Sequence, residues 1–269
     1  MGESAKENWS SGSAYERYVG RWSRRVAAQF IDWLAVDRQL EWADVGCGTG
    51  AMTGCILQQA DPTTVRALDK SDAYLAEARS GLADARVQFE VGDACALPWS
   101  AATVDVAVSG LVLNFVADAD AMAHGMRRVA RPGGKIGLYV WDYADGMQMM
   151  RHFWDVAVEQ APAGAGLDQA ERFPLCQPGP LRALFERAGL VSISVRGIEI
   201  PTVFRDFDDY WCPFLGRQGA APTYLASLPD ATQAAIRDAL QDRLAADPDG
   251  SIRMMARAWA VQGTVPAAS

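Results

Sequence analysis

Gly46-Cys47-Gly48-Thr49-Gly50 follows a short apolar run, Trp42-Ala-Asp-Val45, and precedes a helical pattern. Alternating glycines at a strand-to-helix turn let the backbone come within contact distance of a ligand, and the helix start offers free N–H groups and a partial positive charge. The spacing Gly46-x-Gly48-x-x-Ala51 also satisfies the dinucleotide fingerprint, with Asp69 near the distance expected of a ribose-binding acid, so the glycines alone do not choose a ligand. Three acids narrow the choice. Asp44 stands two residues before the first glycine, where it can meet an ammonium group. Asp69 ends the next apolar run, where a carboxylate can accept from two ribose hydroxyls. Asp93 ends a third in Val91-Gly-Asp-Ala94, where it can accept from an adenine amino group. Together they suit a positively charged, nucleoside-bearing ligand, and a plain structural turn is the competing explanation.

The elements that must position these residues follow from apolar periodicity. Strands are expected over 42–45, 65–69, 86–91, 104–108 and 135–141, separated by helices over 22–34, 51–60, 72–82 and 120–129. Ser23 is expected to cap the first helix and Ser71 the third. Alternation of this kind implies βαβ units and a parallel sheet covered on both faces. Ligands of such sheets bind outside the carboxyl ends of the strands. Farther on, 154–160 and 179–188 read as helices, with Gly189 as a stop, and 191–200 as a strand. The aromatic-rich stretch 201–250 holds a helix expected to begin at Ser227, and 251–261 reads as a last strand. The expected organisation is an N-terminal cap and first helix (1–40), a core (41–200), an inserted lid segment (201–250), and the last strand with the C-terminus (251–269).

Composition bounds the function. Against 25 Lys and Arg stand 33 Asp and Glu, a formal charge of −8 that disfavours a nucleic-acid partner. Residues 1–20 are mostly polar and no run of about 18 uncharged apolar residues occurs, so the expectation is a soluble, cytoplasmic protein without a membrane partner. Five widely spaced cysteines, no C-x-x-C and two histidines argue against a disulfide framework or a metal site.

The ordered set Asp44-Val-Gly-Cys-Gly-Thr-Gly50, Ala67-Leu-Asp69, Gly92-Asp-Ala94 with Leu97-Pro98, Val104-Asp-Val-Ala-Val108 and Arg128-Val-Ala-Arg-Pro-Gly-Gly134 resembles the class I S-adenosylmethionine-dependent methyltransferases. The resemblance lies with the small-molecule branch related to ubiquinone and menaquinone biosynthesis. It implies a doubly wound α/β fold with a mostly parallel seven-stranded sheet, its last strand antiparallel beside the fifth. S-adenosylmethionine is the implied cofactor. Gly46 and Gly48 fall near its methionine part, Asp69 at the ribose, Asp93 and Ala94 at adenine, and Ser109 beside it; Asp44, Cys47 and Lys70 complete the expected contacts. The Tyr15–Tyr18–Gly20-Arg21-Trp22 stretch resembles a segment that closes over the cofactor in relatives. Asn114 departs from the pattern, since relatives often carry His there.

The acceptor is less legible. No Asn/Asp-Pro-Pro-Tyr/Phe sequence and no Pro-Cys dipeptide is present to mark a base or a protein amide as the target. Cys47 reads as a small buried residue, and His124, opposite an apolar stripe, as solvated. His152 is the candidate general base, with Asp142 and Tyr143 as lesser ones. A base is optional, because orientation alone supplies about 7–11 kcal/mol of such barriers. The expected acceptor is a small apolar or aromatic molecule in a pocket lined by Trp141, Tyr143, Tyr210, Trp211 and Asn114. Three other classes stay open: an NAD(P)-dependent oxidoreductase, for which no Tyr-x-x-x-Lys is found, a macromolecular methyltransferase, against which the net charge argues, and a methyltransferase-like cofactor-binding protein without catalysis.

Overall fold

Seven strands form one sheet in the order β3-β2-β1-β4-β5-β7-β6. They are β1 (Glu41–Val45), β2 (Thr64–Asp69), β3 (Val87–Val91), β4 (Val104–Gly110), β5 (Ala130–Trp141), β6 (Val191–Phe204) and β7 (Ile252–Thr264). β1 through β5 pair in parallel, and β7 runs antiparallel to β5, from Lys135 opposite Thr264 to Trp141 opposite Ala258. The computed structural model describes residues 20–216 and 219–267. Tyr15 and Tyr18 lie outside the described residues.

The chain divides into two compact units. The first comprises Ser23–Trp141, Leu175–Ile198 and the segment from Ala258 on; the second comprises Asp142–Pro174, Glu199–Arg257 and the described residues up to Trp22.

The helix α1 (Arg21–Leu34), which belongs to the first unit from Ser23 on, carries Val26, Phe30 and Leu34 at four-residue spacing, all buried. Phe30 lies 5.0 Å from the Tyr139 ring. Gly137 makes room for this helix, since a Cβ there would fall 2.8 Å from both Leu34 and Phe30. The helix starts at Arg21, so Ser23 lies inside its first turn rather than at its cap. α2 (Ala51–Cys55) opens after Gly50 in the left-handed region and widens into a π turn over Ile56–Ala60 before Asp61 stops it. α3 (Asp72–Gly81) is capped by Ser71 Oγ, which accepts from Tyr74 N at 3.3 Å. α4 (Ala119–Val129) is capped by Asp118, whose carboxylate accepts from Ala121 N at 2.8 Å, and buries Met122, Met126 and Val129 with His124 on the exposed side. Sheet pairing resumes at Ala130 rather than at Lys135, with an irregularity between Val104 and Val106. Arg131 fastens this stretch by bonding Asp105 at 2.7 Å and Glu41. α7 (Pro178–Arg187) ends at Gly189 with φ +71°.

The second unit is helical and aromatic. Its helices are α5 (Gln148–Gln160), α6 (Gln169–Arg172), α8 (Phe207–Trp211), α9 (Ala220–Ser227) and α10 (Asp230–Arg243). α5 begins six residues before Trp154, because Gln148 to Phe153 continue its apolar face with Met149, Met150 and Phe153 buried. Ser227 ends α9 and donates to Tyr224 O at 2.7 Å, so α10 starts after Pro229 instead of at Ser227. Phe153 stacks on Phe214 with centroids 4.5 Å apart, and Trp154 on Tyr224 at 5.5 Å. The polar atoms of three of its buried rings find partners: Tyr210 donates to Met149 O, Tyr224 to Ala161 O and Trp154 Nε1 to Gln169 Oε1, all at 3.0 Å. No helix among the described residues is long and apolar enough to cross a membrane.

Candidate functional site

The loop at the carboxyl end of β1 is held by its own backbone. Gly46 N and Cys47 N both donate to Leu68 O, at 2.7 and 2.9 Å, which pins the turn to the end of β2. Gly46, Gly48 and Gly50 have φ of +77°, +55° and +87°, a region in which a side chain is strained. Their surroundings differ. A Cβ on Gly46 would come within 2.5 Å of Val112, and one on Gly50 within 2.6 Å of Leu82, whereas one on Gly48 would meet nothing within 4 Å. Gly48 is therefore where backbone faces open space, the property a closely approaching ligand needs.

Asp69, at the end of β2, is the tie point of this region. Its Oδ2 accepts from Gly48 N at 2.9 Å and its Oδ1 from Ser71 N at 2.8 Å, while its carbonyl accepts from Gly92 N at 3.0 Å. One carboxylate thus fixes the glycine loop and the entry to α3. Each oxygen retains a lone pair for a further donor, so ribose recognition and loop anchoring are compatible. Asp44 is buried beneath the loop. Thr53 Oγ1 donates to its Oδ2 at 2.6 Å, and its Oδ1 has no partner. Burial pushes its carboxyl up to about 7, with Asp69 adding to the rise and the Thr53 bond opposing it. A buried carboxyl with one vacant oxygen is suited to gain a cationic partner.

Among the other expected contacts, Cys47 is buried, and burial drives its thiol well above the ordinary cysteine range, so it is a packing residue and not a nucleophile. Lys70 is exposed. Asp93 is exposed and its Oδ1 accepts from Cys95 N at 2.8 Å, while Ala94 beside it is buried. Ser109 is spent internally, donating to Val45 O at 2.7 Å and binding β4 to β1. Asn114, in the short turn Leu113–Phe115, has both amide atoms shielded and without a partner, and the Trp141 Nε1 is likewise unpartnered. Thr53 and Val112 were not marked by the sequence. Only the contacts to Asp44 and Gly46 reveal them.

The remaining expected residues lie in the second unit. Tyr210 and Trp211 are core residues of its aromatic cluster, and Tyr143 packs on Phe173 at 5.4 Å. His152 sits half-buried on α5, and desolvation lowers its pKa below the ordinary histidine value, with Arg243 and Arg151 contributing and Asp155 opposing. Among the described residues no three His, Cys, Asp or Glu side chains are grouped to hold a metal ion.

The seven-stranded sheet with its last strand antiparallel beside the fifth is the arrangement that the resemblance to class I S-adenosylmethionine-dependent methyltransferases implies. Residues 43–138 match the family described as "Methyltransferase domain". The demethylmenaquinone methyltransferase of Lactobacillus johnsonii is 33% identical over 100 residues, which is 35% of this chain and 41% of that protein. The ubiquinone/menaquinone biosynthesis C-methyltransferase of Dinoroseobacter shibae is 34% identical over 111 residues, 39% of this chain and 44% of that one. The chain thus spans less than half the length of these relatives. In the same fold, phosphoethanolamine N-methyltransferase 2 of Haemonchus contortus, solved with phosphomonomethylethanolamine and S-adenosylhomocysteine, aligns with a TM-score of 0.60 at 16% identity. That alignment covers 95% of this chain and 57% of the other.

The residues around the β1 loop fit the implied cofactor. Gly48 leaves room at the backbone, Asp44 keeps a vacant buried carboxyl oxygen, and Asp69 and Asp93 stand at the ends of the next two strands.

Proposed function

We propose that the protein transfers a methyl group from S-adenosylmethionine to a small apolar or aromatic acceptor. The observation that carries the reading is the loop at β1, open at Gly48 and braced by Asp69, above a buried Asp44 with a free oxygen. S-adenosylmethionine supplies, when bound, a methyl group activated by a sulfonium leaving group. The chain's part is to bind and orient. Asp44 is assigned to an ammonium group, Asp69 to ribose hydroxyls in addition to its two backbone bonds, and Asp93 with Ala94 to adenine. An apolar or aromatic acceptor is supported by the density of rings in the second unit and by the formal charge of −8, which repels polyanions. His152 is assigned as the base for acceptors that must lose a proton, and positioning in line with the methyl suffices for the others.

The test is transfer of labelled methyl from S-adenosylmethionine to a panel of phenols, quinols and aryl amines. Truncation to alanine is unsuitable for the buried rings, because removing a buried aromatic costs about 3–5 kcal/mol of stability. The informative variants are Trp211→Phe and His152→Gln. Turnover is expected to fall at least fivefold in one of them while S-adenosylhomocysteine affinity stays within twofold. Equal turnover in both variants and wild type would remove the acceptor assignment.

A further inference from the structure

Three arginines of this chain use the same edge of the guanidinium to grip a carboxylate. Arg187 presents Nε and Nη2 to the two oxygens of Asp120, at 2.8 and 3.2 Å. Arg86 does the same to Asp84, at 3.0 and 2.8 Å. Arg257 brings Nε and Nη2 to Asp142 Oδ2, at 2.8 and 2.7 Å. Two parallel N–H donors along one side of a planar cation match the two oxygens of a carboxylate.

On Arg21 that edge is vacant. Its Nη1 donates to Asp209 Oδ1 at 3.1 Å, while Nε and Nη2 are both shielded from solvent and have no acceptor. The side chain as a whole is 30% exposed. The plane is fixed by its neighbours, with the guanidinium carbon 4.5 Å from the centre of the Trp22 ring and 4.8 Å from that of Phe204. Those two rings meet edge to face at 5.8 Å. Asp209 is held in turn, its Oδ2 accepting from Arg205 N at 3.0 Å. Nearby on β6, Thr202 lies two residues before Phe204 on the same buried face, and its hydroxyl also has no partner. Buried donors are almost always satisfied, so a pre-oriented pair that is not marks a place for an acceptor from outside.

We propose that the Nε–Nη2 edge of Arg21 is the docking point for a ligand carboxylate whose remainder is apolar or aromatic. Asp209 already neutralises the guanidinium, so a monoanion is accommodated at less cost than a doubly charged phosphate. Trp22 and Phe204 supply the apolar surface beside it. The vacant edge does not rest on the methyltransferase reading.

The experiment follows the side-chain Nε–H resonance of Arg21 by NMR in the full chain, with two pairs of probes. One pair is 1-naphthoate against 1-naphthylmethanol. The other is S-adenosylhomocysteine against its decarboxylated analogue, 5′-deoxy-5′-(3-aminopropylthio)adenosine. The expected result is that one acid moves the resonance and its carboxylate-free counterpart does not. Arg21→Lys, which keeps the charge facing Asp209 but loses the fork, then weakens that acid at least tenfold and leaves the counterpart within twofold. If S-adenosylhomocysteine binds by calorimetry but neither acid moves the resonance, the Arg21 proposal is overturned and the methyltransferase reading stands. If S-adenosylhomocysteine does not bind at all, the methyltransferase reading fails and the naphthoate pair alone decides the role of the edge.

Discussion

Asp44 and Asp69 are both expected from the sequence to serve a ligand, yet the protein has already put them to different uses. The carboxyl of Asp44 is raised from 3.8 to about 7, mainly by burial. Below pH 3.8 the carboxyl is protonated in folded and unfolded chains alike, and burial costs nothing. Between roughly pH 4 and 7 the folded chain holds a proton that the unfolded chain has lost, so stability falls as pH rises; above 7 the loss is complete. Asp44→Asn removes this slope while keeping an oxygen for Thr53. Urea denaturation at pH 5 and pH 8 is therefore expected to show the variant gaining on wild type at the higher pH, by up to about 1.4 kcal/mol per unit within the window. A constant difference would mean that Asp44 titrates normally. An ammonium partner reverses the preference, so S-adenosylhomocysteine affinity in the wild type is expected to drop as pH falls from 7 to 6, by up to tenfold, and to change less in the variant. Asp69 is different because its oxygens hold Gly48 N and Ser71 N. Asp69→Ala is expected to lose about 1–3 kcal/mol of stability for each donor left buried without an acceptor, together with at least tenfold in S-adenosylhomocysteine affinity. An affinity loss with unchanged stability would show that water replaces the anchor.

At the scale of elements, the glycine loop was legible because three glycines in alternation, after an apolar run, leave few alternatives. What was not legible is that the three serve different ends. Gly46 and Gly50 yield space to Val112 and Leu82, both distant in sequence, and only Gly48 faces open space. Gly46→Ala is expected to destabilise by about 2 kcal/mol more than Gly48→Ala, because a branched Val112 cannot retract and the left-handed cost of about 1–2 kcal/mol is common to both. Gly48→Ala stays folded and loses cofactor affinity. Comparable melting temperatures for the two variants would contradict this division. Strands β1 to β4 follow from apolar runs and turns near enough in sequence to be read directly. The start of α10 is obscured by competing local cues: Ser227 looks like a cap but closes α9, and Pro229 does the opening. In the sequence Arg21 stands only as part of a motif. Its vacant edge depends on Phe204 and Asp209, nearly two hundred residues away.

Over the whole molecule, an excess of eight acidic charges, a seven-stranded sheet with one antiparallel strand and a loop open at a single glycine converge on one cofactor class. The rival dinucleotide reading shares the loop and Asp69 but has no use for a buried acid with a vacant oxygen at Asp44. Ligand linkage separates the two, because a molecule that binds only the folded state at 100 times its dissociation constant stabilises it by about 2.7 kcal/mol. The most direct measurement is titration calorimetry of the intact chain at pH 7.5 with S-adenosylhomocysteine and, separately, with NAD and NADP. Saturable one-to-one binding of S-adenosylhomocysteine with no heat from either dinucleotide is the predicted result. Binding of NAD or NADP without binding of S-adenosylhomocysteine would contradict it.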